Sequence, residues 1–274
     1  MVRDKNTGKI IGFIRLGSPF LNSKPRNDCL GEPLNTHNLE MMQRFNQSVM
    51  MGFVIVPVQP FGFNALGGKL LAGICCSHEV REMMGKKYGV NICAFETTSL
   101  YGTSKAASQY DGMKPFLRYT GLTLSNFTPT ISGYRYQEIH DWFKDKIGGR
   151  LSDGKESNKK MMEHRRMVRI MNNSLGDDPL KVELAEALAG AQEMQEQKRA
   201  YVSNYGHTNV TDYLLMKTDE LNRSDNYERY HLEHIIAWWK NKATKRYDNL
   251  KQDGRLRTKL ETWSINPDEI DIIR

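Results

Sequence analysis

Gly52-Phe-Val-Ile-Val-Pro-Val58 runs directly into Gln59-Pro-Phe-Gly62-Phe-Asn64, and this into Ala65-Leu-Gly67-Gly68-Lys69-Leu-Leu-Ala-Gly-Ile-Cys-Cys76. The first segment is a continuous apolar, β-branched run, the pattern of a strand covered on both faces and central in a sheet. The second is a Pro/Gly turn and the third has helical periodicity. A further run, Val90-Asn-Ile-Cys-Ala-Phe-Glu-Thr97, follows a helix that ends near Tyr88-Gly89. The succession is a β-α-β unit, so 53–58 and 90–97 are expected as neighbouring parallel strands in mid-sheet.

Upstream, Thr7-Gly8 between Val2-Arg3-Asp4 and Ile10-Ile-Gly-Phe-Ile14 reads as the turn of a β-hairpin. Ser18 to Glu32 is a polar loop, and 35–49 carries mixed helix and strand signals. Downstream, a loop at 98–104 and a helix to about Leu117 lead to a strand from Tyr119 to Ser125. After Gly133 the chain turns to long charged helical segments. Ser157–Asn172 is basic and amphipathic, and Asp178-Pro179 caps a helix running towards Tyr201. Asp225-Asn-Tyr-Glu228 has capping-box spacing for a helix to about Leu250, and Asn266-Pro267 opens a last short one. The reading is an α/β domain at 1–135, with a mixed sheet and crossover helices, followed by a charged α-helical extension at 136–274.

Composition narrows the function classes. The first residues lack the apolar core of a secretory signal, and no apolar stretch approaches the roughly eighteen residues that cross a bilayer. No membrane partner and a cytoplasmic location are expected. The four cysteines, Cys29, Cys75, Cys76 and Cys93, form no C-x-x-C pair, and His231 with His234 lacks an obvious third ligand, so no metal is expected. Residues 1–133 hold 14 Lys/Arg against 8 Asp/Glu, whereas 134–274 hold 25 against 24. The basic excess of the first domain favours polyanions or phosphate-bearing cofactors.

A turn leading from a strand into a helix aims backbone N–H groups at one point, where the helix dipole also favours negative charge. Gly62, Gly67 and Gly68 clear the approach, and Lys69 adds a point charge. The same glycines equally suit tight helix-on-sheet packing. The spacing matches neither the Walker nor the dinucleotide fingerprint.

Gln59-x-x-Gly62-x-Asn64 resembles the Q/R-x-x-G-x-G/A turn of the Gcn5-related acetyltransferase superfamily, with Asn64 where that family has Gly or Ala. Arg26-Asn-Asp28-x-x-Gly31, Val56-Pro57 to Leu71, Glu96-Thr-Thr-Ser-Leu-Tyr101-Gly102, Tyr110 and Gly121-x-Thr123 resemble a phage family related to the Druantia defence protein DruA and, more distantly, to Mom-like DNA-modifying acyltransferases. The resemblance covers residues 1 to about 135. It implies an acyl-coenzyme A or related phosphorylated donor held by Gln59, Gly62, Asn64, Gly67, Gly68 and Lys69. Leu117 stands where such enzymes often carry an acidic tyrosine, which leaves that role to Tyr110 or Tyr101.

Glu96, at the carboxyl end of a buried strand, is placed to act as a base, although Thr97-Thr98-Ser99 also suits a turn cap. Arg26 and Asp28 in the polar loop suit the binding of a substrate amine, or form an ordinary surface pair. Lys159, Lys160, Arg165, Arg166 and Arg169 suit a phosphate backbone or a solvated face. The resulting expectation is an acyltransferase-like phage protein, in the host cytoplasm, acting on a nucleic-acid base or another amine. The alternative is a non-catalytic nucleic-acid-binding or phage-assembly protein that keeps the fold. In both, the helical extension offers a surface for a protein partner or for self-association.

Overall fold

The computed structural model describes residues 1–32, 34–99, 108–124, 133–148, 151–152, 159–193 and 197–258. Its strands are β1 (Val2–Arg3), β2 (Ile10–Gly17), β3 (Val49–Pro57), β4 (Ala94–Ser99), β5 (Arg118–Leu122) and β6 (Arg199–Ser203). The helices are α1 (Lys24–Leu30), α2 (Leu39–Ser48), α3 (Phe61–Asn64), α4 (Gly67–Cys75), α5 (His78–Tyr88), α6 (Tyr134–Ile147), α7 (Lys159–Ser174), α8 (Leu180–Glu193), α9 (Val210–Leu214) and α10 (Leu232–Gln252). The protein is α/β with a mixed sheet, and a long helix lies towards its C-terminal end.

The sheet order is β1-β2-β3-β4-β6-β5, and only β3 and β4 run parallel. The expected hairpin is present as β1 and β2, and the two apolar runs are central neighbours. Their bounds differ from the expectation. Strand β3 starts at Val49, and its first four residues, buried throughout, pair with Ala94–Thr97. That parallel ladder ends at Gly52 and Thr97, although β3 continues to Pro57 and β4 to Ser99. Beyond that point β3 is held by β2, and Phe53 and Val56 stand exposed.

Alternation along β4 sends its side chains to opposite faces. Phe95 packs with Leu71 and Cys75 of α4, with Cys76 just after it, and with Ile235 of α10. Ala94 packs on the other face with Leu30 of α1, Phe45 of α2 and Leu214 of α9. Local signals explain the crossover: the Ser77 hydroxyl accepts the Val80 N–H at 3.3 Å to start α5, and Gly89 at φ 65° ends it.

Three expected helical stretches change. Residues 108–117 form turns, because Gly112 at φ 74° and Pro115 interrupt a helix. The helix from Asp178-Pro179 ends at Glu193, and Arg199–Ser203 is strand β6, inserted between β4 and β5. The spacing at Asp225–Glu228 yields a 3-10 turn, Tyr227–Tyr230, and α10 begins at Leu232. Its first N–H is taken instead by the Glu79 carboxylate of α5 at 2.9 Å. The short helix expected at Asn266-Pro267 lies outside the described residues.

Two compact units are present: residues 1–124 with 197–274, which contains the sheet, and residues 125–196. The second has its own small core of Phe143, Leu151 and Met167, where buried Glu163 accepts the Tyr136 hydroxyl at 2.6 Å. No helix among the described residues is long and apolar enough to cross a membrane.

His78, buried at the start of α5, stacks on Tyr227 with ring centroids 4.1 Å apart and meets its carbonyl through Nε2 at 2.9 Å. Its Nδ1 is buried without a partner, and burial pulls the imidazole down to about 4 from an ordinary value of 6.5. The folded state therefore keeps the ring neutral while the unfolded chain protonates it first. This contribution to stability is present in full above pH 6.5 and is lost as pH falls towards 4. Urea denaturation midpoints should drop between pH 7 and 4.5, and the drop should be smaller in His78→Gln.

Candidate functional site

The glycine turn is built as a short relay. Strand β3 ends at Pro57, α3 makes one turn, Leu66 adopts a left-handed conformation at φ 53°, and α4 starts at Gly67. Most N–H groups of the turn are already used. Those of Gly62, Asn64, Ala65, Lys69 and Leu70 reach carbonyls of Val58, Pro60, Phe61 and Leu66, and that of Phe63 reaches the Gln59 side chain at 3.0 Å. The glycines allow close contact: a Cβ at Gly67 would lie 2.7 Å from the Phe61 ring and 2.8 Å from Pro57. At Gly62 it would lie 2.7 Å from Pro57, and at Gly68 2.4 Å from the Gln109 amide oxygen.

Asn64 has a specific task. Its amide donates to the Arg257 carbonyl at 2.7 Å and accepts the Arg257 N–H at 3.1 Å, tying the end of the chain's described part to the turn. A Gly or Ala there would lose both bonds. Helix α10 adds two anchors, the Trp239 indole N–H on the Ala65 carbonyl at 2.8 Å and Arg246 Nε on the Phe63 carbonyl at 2.7 Å.

Lys69 points to the far side of α4, where its ammonium donates to the Asp111 carbonyl. Burial, with the nearby charge of Lys242, brings it down to about 8. The Asp111 carboxylate accepts the Tyr201 hydroxyl at 2.7 Å and the Ser108 N–H at 3.0 Å, and Arg199 lies 3.4 Å away. Arg199 also covers the Tyr119 ring at 4.2 Å. Tyr110 shares this face: its ring meets Tyr201 edge-on at 5.5 Å, its hydroxyl lies against Thr97 and Gln109, and burial raises its phenol strongly.

Glu96 follows the alternation of β4 to the opposite face, where Ala94 also packs. There it accepts Arg26 Nη1 at 3.0 Å. Both side chains are largely enclosed, with Arg26 at 6% exposure and Glu96 at 14%. The guanidinium sits 4.3 Å over the Phe45 ring and donates through Nη2 to the Phe20 and Leu21 carbonyls, each at 2.8 Å, while Nε is buried without a partner. Burial raises the Glu96 carboxyl, and Arg26 opposes the shift. Asp28 lies apart, exposed on α1 and paired with Lys24.

The sheet thus gathers Gly67, Gly68, Lys69 and Tyr110 on one side and Arg26 with Glu96 on the other. Tyr101 lies outside the described residues. Among those residues no group of three His, Cys, Asp or Glu is placed to hold a metal ion. His231 and His234 instead meet Glu79, Glu228 and Glu233 at the surface. Sequence reasoning missed Asp111, Arg199 and Tyr201, whose association depends on β6. It also missed the cations of α10, although residues 240–257 alone carry seven Lys/Arg against two Asp/Glu.

The stretch Ser18–Glu32, expected as a polar loop but holding α1 with Arg26, the glycine turn, and Glu96 on the central strand all belong to the first hundred residues. Residues 1–107 match the family model of the Druantia protein DruA. The chain is also 26% identical over 160 residues to the Druantia protein DruA of Escherichia coli (strain UMEA 4076-1), a match covering 53% of this chain. It spans 38% of that DruA's length. No solved structure matches. The family-model match thus includes Arg26, Glu96 and the whole turn, and it ends before Tyr110, Asp111 and β6.

Breaking the buried ion pair from one side leaves an uncompensated charge. Arg26→Gln should destabilise the fold by about 3–5 kcal/mol in urea denaturation, and Glu96→Gln, which still accepts a hydrogen bond, by less. Gly67→Ala should cost about 1–3 kcal/mol by the same measurement, because Phe61 and Pro57 leave no space for a methyl group.

Proposed function

We propose that this chain is a DruA-related, acyltransferase-like phage protein. In this reading the turn from Gln59 to Lys69 holds the phosphate end of an acyl-coenzyme A or related donor, and the acceptor is a nucleic-acid base or another intracellular amine. One observation carries the reading. The parallel ladder of β3 and β4 stops at Gly52 and Thr97 while both strands run on, so their carboxyl ends, next to the turn that follows Pro57, are not paired with each other. Such a place is where ligands enter open α/β sheets. The order of hairpin, β3, turn, α4 and β4 supports the same resemblance.

The residues fit a phosphorylated donor in part. Gly67 and Gly68 begin α4 without side chains, and Lys69 lies in its first turn with its ammonium on the Asp111 carbonyl. Asn64 is engaged by Arg257, which leaves binding to the α4 end of the turn. A bound donor would supply an acyl group activated as a thioester. Tyr110 stays protonated on its face of β4, where a donor that adds hydrogen bonds or positive charge would have to lower its phenol before it gave a proton. Glu96, raised by burial, is suited to take one on the other face. An amine on the Glu96 face would have to reach a donor on the α4 face past the unpaired carboxyl ends of β3 and β4.

Calorimetric titration with coenzyme A, together with mass spectrometry of small molecules retained on the purified protein, tests this reading. Binding should weaken about tenfold or more in Lys69→Ala, in line with roughly 1.5–3 kcal/mol for a hydrogen bond to a charged group. Absence of coenzyme binding at millimolar concentration by the wild-type protein would remove the donor from the proposal.

A further inference from the structure

Helix α10 does more than cover α4. Trp239 and Arg246, seven residues apart, are both anchored on carbonyls of the Phe61–Ala65 stretch, so this face of the helix is fixed against α3 and the start of α4. Lys242 sits between them on the same face, three residues beyond Trp239 and four before Arg246. The fold therefore brings Lys242 near enough for its charge to be felt at Lys69, and it brings Arg255 near enough to be felt at Arg246. Arg246 and Arg257 each place a guanidinium 4.7 Å from the Phe63 ring. Among the described residues, Lys69, Lys242 and Arg246 make no ion pair with a carboxylate, and Asp253 pairs only Arg255.

Cations crowded in this way repel one another, and partial burial strengthens the repulsion. Asp111 offsets part of the charge at Lys69, and the Trp238 ring lies 5.6 Å from the Lys242 ammonium. No carboxylate pairs with Lys242 or Arg246 among the described residues, so a bound anion would relieve the remaining repulsion. We propose that Lys69, Lys242 and Arg246, with Arg255 at the edge, form a binding site for a phosphate-bearing ligand, to which the C-terminal helix contributes most of the charge. The proposal deepens the reading of the turn as the seat of a phosphorylated donor and rests on it for the position of the ligand. Lys69 comes from the glycine turn, Lys242 and Arg246 come from α10, and Arg255 follows α10.

Pyrophosphate is the probe, followed by thermal unfolding of the full chain. Pyrophosphate should raise the melting temperature of the wild-type protein. In Lys242→Gln this rise should be lost, while the unliganded variant should melt at the same or a higher temperature, since a like charge has been removed. A merely structural lysine would give the opposite result, a lower unliganded melting temperature. Lys86→Gln with Lys87→Gln, at the far end of α5, should keep the full response.

Coenzyme A and a duplex oligonucleotide, each tested as a competitor of pyrophosphate, identify the source of the phosphate. Competition by either supports the site, and only competition by coenzyme A also supports the donor. An unchanged pyrophosphate response in Lys242→Gln would overturn the site. If coenzyme A then still bound in a Lys69-dependent way, the donor reading would survive without it. No response of the wild-type protein to pyrophosphate would overturn the site as well.

Discussion

Parallel pairing of Val49–Gly52 with Ala94–Thr97 sets most of the remaining architecture. Two parallel neighbours cannot be joined by a tight turn, so the chain must leave β3 at one end of the sheet and re-enter β4 at the other. The α3–α4–α5 crossover is that return path, and it places the glycine turn at the carboxyl ends of the strands. Because β4 is the middle partner, its far edge also needs a strand, and β6 meets that need from more than ninety residues away. The same strand brings Tyr201 and Arg199 to Asp111, so the polar network beside Lys69 follows from completing the sheet.

What the sequence made legible was local. The hairpin turn and the helix end at Gly89 form where expected, and the two apolar runs become the adjacent strands β3 and β4 with shifted bounds, because each carries its signal within a few residues. The features it concealed depend on partners far along the chain. Arg199–Ser203 has five residues and follows a helix-forming stretch, so nothing nearby marks it as a strand. Glu79, rather than the local Asp225–Glu228 spacing, caps α10. The motif position filled by Asn64 reads as a departure from the family pattern until Arg257 is seen on both ends of its amide.

The candidate site shows the same division. Residue types in the turn and at Glu96 suggested binding and proton transfer, yet the sequence held no sign that β4 would put Glu96 and Tyr110 on opposite faces. Arg26 was grouped with Asp28, two residues away, whereas its partner is Glu96, seventy residues on. Burial decides between them. A guanidinium enclosed against Phe45 requires a carboxylate within reach, while Asp28 remains in water where Lys24 suffices.

The second unit enters and leaves the sheet between two strands that lie side by side. Thr123 and Lys198, at its edges, hydrogen-bond to each other, with the Thr123 N–H on the Lys198 carbonyl at 2.8 Å and the Lys198 N–H on the Thr123 hydroxyl at 2.9 Å. Topologically, residues 125–196 are the loop of an enlarged β5–β6 hairpin. A loop closed at its base imposes little on the framework, and each doubling of its length adds only about 0.6 kcal/mol of closure entropy. Descent with modification can therefore enlarge, shrink or exchange that segment while the strands on either side keep their register. The part of such a protein that varies most between lineages would then lie in the middle of the chain, between two adjacent strands of one sheet that must change together.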